Sequence, residues 1–467
     1  MKNIRLTEGK ITSTLVKLAL PIMATSFVQM AYNMMDMIWL GRVSTNAVAA
    51  SGTAGFFTWF GTALLMVPKI GAEVGVAQSF GRDDMESAKK YIKNTLQLDI
   101  IIALIYSIIL IVFRHQIIGF FNLGDREVIQ MAIDYLVIIS FGLVFYFLNP
   151  VFSGIYNGSG NSSTPFKINA IGLVINMILD PLMIMGIGPF PEMGIKGAAL
   201  ATIIAQFTVT VTFIYNSKNK FNLFKGLNIF QLPDKEYIKT IFKLGLPASL
   251  QTGLFASIAM VIAKIIAQWG PTPIAVQKVG SQIESISWMT AGGFSTAISA
   301  FVGQNYGAGK WDRIKEGYKK GLMIVGIIGI FATCLLVFGA NPIFRLFIPH
   351  DKEALEIGIT YLRILGISQF FMTIEIATQG AFNGVGKTIP PSLVGITFNA
   401  LRIPAALILS NYLGLNGIWW SISISSVFKG IVLTTWYVLS LRKIPAVSHE
   451  GSEDENGRIQ ERAFTDN

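Results

Sequence analysis

Residues 15–21 read LVKLALP, and residues 241–247 read IFKLGLP. Further segments repeat at the same offset in residue number: VAQSFG at 76–81 with VGQNYG at 302–307, and YNGSG at 156–160 with FNGVG at 382–386. After a small gap, MGIKG at 193–197 pairs with LGLNG at 413–417 at a slightly shorter offset. Similar segments at a fixed separation indicate an internal duplication. The chain is therefore expected to contain two halves with the same fold.

Composition places both halves in a membrane. The 467 residues are 52% hydrophobic and 14% charged, with a mean hydropathy of +0.55. Soluble domains carry about 25% charged residues, so a soluble enzyme is excluded. Runs of about 20 apolar residues, long enough to cross a membrane as helices, occur twelve times: at 15–40, 50–76, 94–113, 128–152, 168–188, 196–216, 244–268, 276–302, 321–340, 359–382, 391–412 and 415–440.

The predicted fold is an all-α integral membrane protein. Its twelve transmembrane helices form two six-helix lobes related by pseudo-twofold symmetry, an arrangement found in transporters built from parallel repeats. The predicted domains are an N-terminal lobe (1–217), a cytoplasmic linker (218–243), a C-terminal lobe (244–444) and a polar tail (445–467), which we expect to be cytoplasmic and disordered.

Basic residues predict the orientation, because positively charged loops stay in the cytoplasm. Of the 37 Lys and Arg residues, 25 fall in loops on the side of the termini and 6 on the other side. Both termini are therefore expected in the cytoplasm, and the chain in the cytoplasmic membrane. The net charge of +10 then reflects topology, with no nucleic-acid partner. The single cysteine, Cys334, excludes an internal disulfide.

Asp36 and Asp180 stand out among the ionisable residues inside the predicted spans. Asp36 follows Tyr32 by one helical turn on the first helix, and Asp180 follows Asn176 by one turn on the fifth. Side chains at this spacing share a helix face. An ionisable residue within a membrane is costly and usually serves a function.

Two carboxylates in one apolar pocket cannot both ionise cheaply, so one is expected to take up a proton near physiological pH. Asp36, Asp180, Asn176, Tyr32 and the hydroxyl of Thr202 are our candidate cation-coupling residues. Carboxylate, amide and hydroxyl oxygens also suit a small hard cation, so Na⁺ at Asp36, Asn176 and Asp180 is the alternative to H⁺. The remaining interpretation is a purely structural role, in which each aspartate cross-links helices.

Other polar or flexible side chains within the spans are candidates for lining a substrate cleft: Gln29, Asn33, Met34, Glu284, Glu375 and Gln379. Glu284 has a structural alternative, an ion pair with Lys264 or Lys278. Arg402 falls next to the repeat equivalent of Asp180, so the two lobes are chemically unequal. Pro21, inside the first helix, is a candidate hinge.

Catalytic chemistry has little support in the sequence. The three histidines lie in loops or in the tail, no nucleophile is paired with a base inside a span, and no firm metal site or organic cofactor is indicated. We therefore expect a monomeric transporter rather than an enzyme, with membrane lipids and small molecules as its partners.

The repeated segments, together with NMMDMIWLG around Asp36 and NMILDPLMIMG around Asp180, resemble the multidrug and toxic compound extrusion (MATE) family over the whole chain apart from the tail. The resemblance implies a V-shaped fold and antiport of H⁺ or Na⁺ against cationic or amphipathic compounds by alternating access. The acid pair resembles the DinF-like branch of the family. Tyr32 and Asp36 match its helix 1 motif, Asn176 and Asp180 its helix 5 motif, and Thr202 its helix 6 motif.

One feature departs from the NorM-like branch, which has an acid on helix 7 together with one on helix 10. Helix 7 of this chain has none, and Glu375 is the only acid on helix 10. The alternatives to a drug antiporter are a lipid-precursor flippase of the same superfamily, a passive channel and an intramembrane enzyme.

Overall fold

The computed structural model describes residues 5–121, 123–220, 224, 226–229, 231–349 and 351–442. Over these residues the regular secondary structure is fifteen α-helices: α1 (Ile11–Val43), α2 (Thr45–Gly81), α3 (Met85–Val112), α4 (Arg114–Gly119), α5 (Arg126–Gly158), α6 (Ser163–Ile184), α7 (Ile195–Lys220), α8 (Lys235–Ala267), α9 (Pro271–Gly307), α10 (Trp311–Phe338), α11 (Ala340–Phe347), α12 (Lys352–Ile367), α13 (Gln369–Gly384), α14 (Ile389–Leu413) and α15 (Leu415–Arg442).

The all-α membrane fold is confirmed. Ten of the described helices are long and apolar enough to cross a membrane, and α12 with α13 forms an eleventh span. The remaining predicted span coincides with α9, a long helix whose polar side chains, including Lys278 and Glu284, lower its hydropathy. Helices satisfy their own backbone hydrogen bonds, which is what a lipid environment requires.

The tenth predicted span, 359–382, differs from the expectation of one continuous helix. α12 ends at Ile367, α13 begins at Gln369, and their axes differ by 47°. The Phe370 amide donates to Thr333 Oγ1 (3.2 Å), and Ser368 Oγ donates to the Leu365 carbonyl. Polar groups at the break are therefore paired within the protein, as irregular backbone at membrane depth must be.

Residues that cap the helices also occur at equivalent positions in the two halves. Asp125 begins α5 by accepting from the Glu127 amide, and its repeat equivalent, Asp351, begins α12 by accepting from the Ala354 amide. Aspartate is a preferred residue at this position because its side chain satisfies an unpaired amide of the first turn.

The chain divides into two compact units. The first unit contains Leu18–Ser249, and the second contains Arg5–Lys17 with the residues from Leu250 onward. These limits differ from the predicted lobe boundaries, because α1 and α8 each contribute residues to both units. Pro21 and Pro247, the repeated prolines, lie close to these divisions.

In the first unit, α3 holds the segment that precedes α8. Asn94 Oδ1 accepts from the Asp234 amide (2.7 Å), and Gln97 Nε2 donates to the carbonyls of Ile229 and Gln231. The predicted linker, 218–243, is described only in part, and the predicted tail, 445–467, lies outside the described residues.

Small residues allow α2 and α5 to pack closely. A Cβ atom at Gly158 would lie 2.6 Å from the Glu73 carbonyl oxygen and 3.3 Å from the Ala77 nitrogen. Both are backbone atoms of α2, so a larger residue on α5 would have to push the two helices apart.

We therefore expect Gly158→Ala to destabilise the protein by about 1–3 kcal/mol, the usual cost of overpacking. The measurement is the thermal midpoint of the purified protein in detergent. Gly52→Ala on α2 is the matched control, because a Cβ there meets nothing within 4 Å. Equal midpoints for the two variants would contradict the close contact of α2 with α5.

Candidate functional site

Three helices of the first unit bring four of the predicted coupling residues together. Asn176 Nδ2, on α6, donates to Asp36 Oδ1 on α1 (3.3 Å) and to Asp180 Oδ1 one turn along α6 (3.0 Å). Thr202 Oγ1, on α7, donates to Asp36 Oδ2 (3.2 Å). We call Asp36, Asn176, Asp180 and Thr202 the acid cluster.

Local sequence explains this geometry. Residues 176 and 180 are one helical turn apart, so the amide of Asn176 and the carboxyl of Asp180 lie on one face of α6. Pro181 follows directly and stays within the helix. Because Asn176 offers two donor hydrogens, one side chain can bridge the carboxyl groups of two helices.

The acid cluster lacks a positive partner among the described residues. Asn176 and Asp180 are fully buried, Asp36 is half-buried, and the amide of Asn176 joins the two carboxyl groups. No described Lys or Arg forms an ion pair with either aspartate. Two neighbouring carboxylates in a site of low dielectric repel each other unless a proton or another cation is bound.

Tyr32 lies next to the acid cluster but outside its hydrogen bonds. Its buried hydroxyl has no hydrogen-bond partner among the described residues, and it faces Gly172 of α6, where a Cβ atom would collide with it. Asn176 Oδ1 and Asp180 Oδ2 are likewise buried without partners in this part of the chain. The site thus combines two carboxyl groups with a hydroxyl and an amide oxygen whose bonding capacity is unused.

The candidate cleft residues of α1 do not join the acid cluster. Gln29, Asn33 and Met34 are exposed, with Met34 52% accessible. Gln379, in the second unit, is half-buried and donates to Gln251 Oε1 (3.3 Å).

Glu284 and Glu375 are buried in the second unit and belong to polar networks. Glu284 accepts from the Tyr361 hydroxyl (2.7 Å) and from Gln369 Nε2 (3.2 Å). The alternative pairing with Lys264 or Lys278 is therefore not what the structure shows, because both lysines are exposed. Glu284 instead has two neutral donors.

Glu375 forms an ion pair with Lys429 on α15, with 3.1 Å between Oε2 and Nζ. The nearby guanidinium of Arg402 donates to the hydroxyls of Ser425 and Ser426. Sequence reasoning missed Lys429 as a partner, although a lysine within an apolar span is itself a signal of a buried ion pair. The second unit thus pairs one of these two buried acids, Glu375, with a base.

The internal repeat shows which residues differ between the two units at equivalent positions. At the offset that relates Pro21 to Pro247, the residues Tyr32, Asp36 and Asp180 correspond to Ile258, Ile262 and Ala406, which are buried in one hydrophobic cluster. The equivalent of Asn176 is Arg402, one of the bases just described. The place of the acid cluster is therefore filled by aliphatic side chains in the second unit.

Comparison with known proteins supports the duplication. The MatE family model matches residues 21–182 and again 247–408. The chain belongs to the MatE family. Its members are transporters, so this chain is a multi-pass membrane transporter with small-molecule substrates, and the multidrug resistance proteins among its relatives support a role in multidrug efflux.

Two curated proteins are similar to this chain over most of its length. The probable multidrug resistance protein NorM of Thermotoga maritima is 28% identical over 92% of each chain. The FAD transporter of Shewanella oneidensis is 25% identical and covers 91% of this chain and 94% of its own.

Solved structures share the fold of this MatE-family chain. A MOP superfamily transporter from Pyrococcus furiosus has a TM-score of 0.87 at 23% identity, covering 95% of this chain and 98% of its own. An outward-facing multidrug resistance MATE family transporter has a TM-score of 0.86 at 23% identity, with coverage of 96% and 99%.

Removing one member of the Glu375–Lys429 pair should lower the stability of the protein. We expect Lys429→Met to destabilise the protein by about 3–5 kcal/mol, because it leaves a buried carboxylate without its partner. The double variant Lys429→Met/Glu375→Gln should recover most of the lost stability. The control, Lys320→Met, breaks an exposed pair with Glu316 and should change stability by about 0–1 kcal/mol. Thermal unfolding in detergent provides the comparison, and additive losses in the double variant would argue against a buried ion pair.

Proposed function

We propose that this MatE-family protein is a secondary active antiporter that exports cationic or amphipathic organic compounds in exchange for H⁺ or Na⁺ by alternating access. The observation that carries the proposal is the acid cluster. Two carboxyl groups, that of Asp180 fully buried and that of Asp36 half-buried, are bridged by Asn176 and have no basic partner among the described residues. They require a cation for charge balance.

The proposed mechanism uses this requirement. With a cation or a proton bound, Asp36 and Asp180 are held together through Asn176, and Thr202 fixes the second oxygen of Asp36. Loss of the cation leaves two like charges on α1 and α6, which weakens the contact between these helices. Pro21, inside α1, is the position at which we expect that helix to bend.

Proton and sodium coupling use the same oxygens in different ways. A proton needs one carboxyl oxygen and one acceptor, whereas Na⁺ needs several oxygen ligands around it. Asp36, Asn176 and Asp180, with the Tyr32 hydroxyl nearby, can serve either ion. We place H⁺ first because the cluster already joins the two carboxyl groups through hydrogen bonds.

Efflux of preloaded ethidium from proteoliposomes tests the function. We expect an outward-directed flux when the external solution is made acidic, and its loss in Asp36→Asn, because the amide keeps the shape of the side chain but carries no titratable charge. Glu127→Gln, an exposed acid at the start of α5, is the matched control and should transport normally. Full pH-driven efflux by Asp36→Asn would refute the role of the acid cluster.

An imposed Na⁺ gradient separates the two ions. Efflux driven by Na⁺ alone, and lost in Asp36→Asn, would assign Na⁺ to the acid cluster. Efflux driven by Na⁺ but retained in that variant would move coupling to Glu375 or Glu284.

Anionic substrates define the second candidate class. One relative is named an FAD transporter, and a lipid-precursor flippase would likewise carry phosphate groups. Such substrates favour basic residues that lack partners, whereas the acid cluster is negative and Lys429 is already paired. Flux of FAD or of an isoprenyl pyrophosphate, with no flux of ethidium, would replace the drug antiporter with this class. A passive channel would show ethidium flux without a driving gradient, and an intramembrane enzyme would convert a substrate chemically without transporting it.

The proposed location is the cytoplasmic membrane, with both termini in the cytoplasm. In a Cys334→Ala background, we expect a cysteine at Glu192 to react with a membrane-impermeant maleimide added to intact cells. A cysteine at Asp312 should react only after the membrane is permeabilised. Both positions are exposed, so accessibility within the protein is matched, and the reverse labelling pattern would invert the topology.

A further inference from the structure

A third carboxyl group lies within the first unit, apart from the acid cluster. Asp99 sits midway along α3; its side chain is 0% exposed, and neither carboxyl oxygen has a hydrogen-bond partner among the described residues. An ionised carboxylate without a partner is very costly in an apolar interior. A neutral carboxylic acid needs only one acceptor for its hydrogen.

Neighbouring charges do not compensate Asp99. The elements packed against α3 carry these titratable side chains near its level: Lys69 and Glu73 on α2, Tyr146 and Tyr156 on α5, and Lys239 and Lys243 at the start of α8. The two lysines of α8 are exposed, and Lys69 packs against Gly154 of α5. None of the ion pairs among the described residues includes Asp99.

The register of the helices shows what lies beside Asp99. α2 and α3 run antiparallel, with Gly61 facing Tyr106 and Gly75 facing Tyr91, which puts Asp99 at the level of Leu64–Pro68. Proline has no amide hydrogen, so Pro68 leaves the Leu64 carbonyl without its usual helix donor.

α5 also has a proline at the level of Asp99. Ser107 Oγ, on α3, donates to the Ser140 carbonyl (2.7 Å), which places Asp99 at the level of Tyr146–Pro150. Pro150 leaves the Tyr146 carbonyl without its helix donor. Asp99 therefore lies at the level of two prolines, each of which leaves a carbonyl acceptor on its helix.

We propose that Asp99 is a proton-binding site of the first unit, occupied at neutral pH, whose acid hydrogen is donated to the carbonyl of Leu64 or of Tyr146. A metal cation would need several oxygen ligands, which Asp99 does not gather. Proton exchange requires water to reach the carboxyl group, so it accompanies separation of α2, α3 and α5. The site is independent of the acid cluster and goes beyond the proposed antiport.

Infrared difference spectroscopy of the full-length protein in lipid tests this directly. At mildly alkaline pH, the spectrum of wild type minus Asp99→Asn should contain a carboxylic acid C=O band. Asp312→Asn, an exposed acid, should produce no such band. Loss of a carboxylate band in place of the acid band would overturn the proposal. The readout needs no transport, so failure of the Asp36 experiment does not affect it.

Two variants locate the acceptor. Pro68→Ala and Pro150→Ala each restore an amide donor, and the Asp99 band should shift toward the frequency of a free acid in the variant that re-pairs its acceptor. Unshifted bands in both would refute the carbonyl assignment. If Asp99→Asn does not fold, isotope-labelled aspartate in an Asp36→Asn/Asp180→Asn background provides the same test. The two acid-cluster carboxyl groups are then absent, and a shifted acid band must persist at alkaline pH.

Discussion

A charge buried within a membrane needs a partner of opposite charge, a bound cation or a proton, and the two units of this protein meet that constraint differently. In the second unit, Glu375 is paired with Lys429 and Glu284 accepts two neutral hydrogen bonds. In the first unit, Asp36 and Asp180 share Asn176 and lack a base among the described residues. Of these two arrangements, the acid cluster is the one without a base, and the proposed antiport assigns its charge balance to a mobile cation.

Divergence after duplication accounts for this asymmetry. Residues that shape the backbone are retained at equivalent positions. They include the aspartate caps at Asp125 and Asp351 and the prolines at Pro21 and Pro247. The polar side chains are not retained, since aliphatic residues occupy the equivalents of Tyr32, Asp36 and Asp180. The fold was therefore retained while the buried polar side chains diverged, because caps act locally whereas a buried charge constrains several helices at once.

The sequence predicted the helices and most of the acid cluster for physical reasons that a sequence displays. Apolar runs of membrane length are visible directly, and the spacing of Asn176 and Asp180 places them on one helix face. It did not predict the bend at Ser368 or the partner of Glu375. Both depend on which faces of distant helices meet, and one chain by itself carries no such information. Asp99 also lies inside a predicted span, but no second carboxyl or amide side chain lies one turn away from it to indicate a site.

Prolines lie near two buried acids of the first unit, Asp180 and Asp99. Pro181 follows Asp180 directly, and Pro68 and Pro150 lie at the level of Asp99. Each proline removes an amide donor and leaves one carbonyl available inside the membrane. A protonated carboxyl group is a donor that can satisfy such a carbonyl, whereas a carboxylate cannot. If these acids are protonated as proposed, the gain or loss of a proton would change how firmly the helices of this unit are held together.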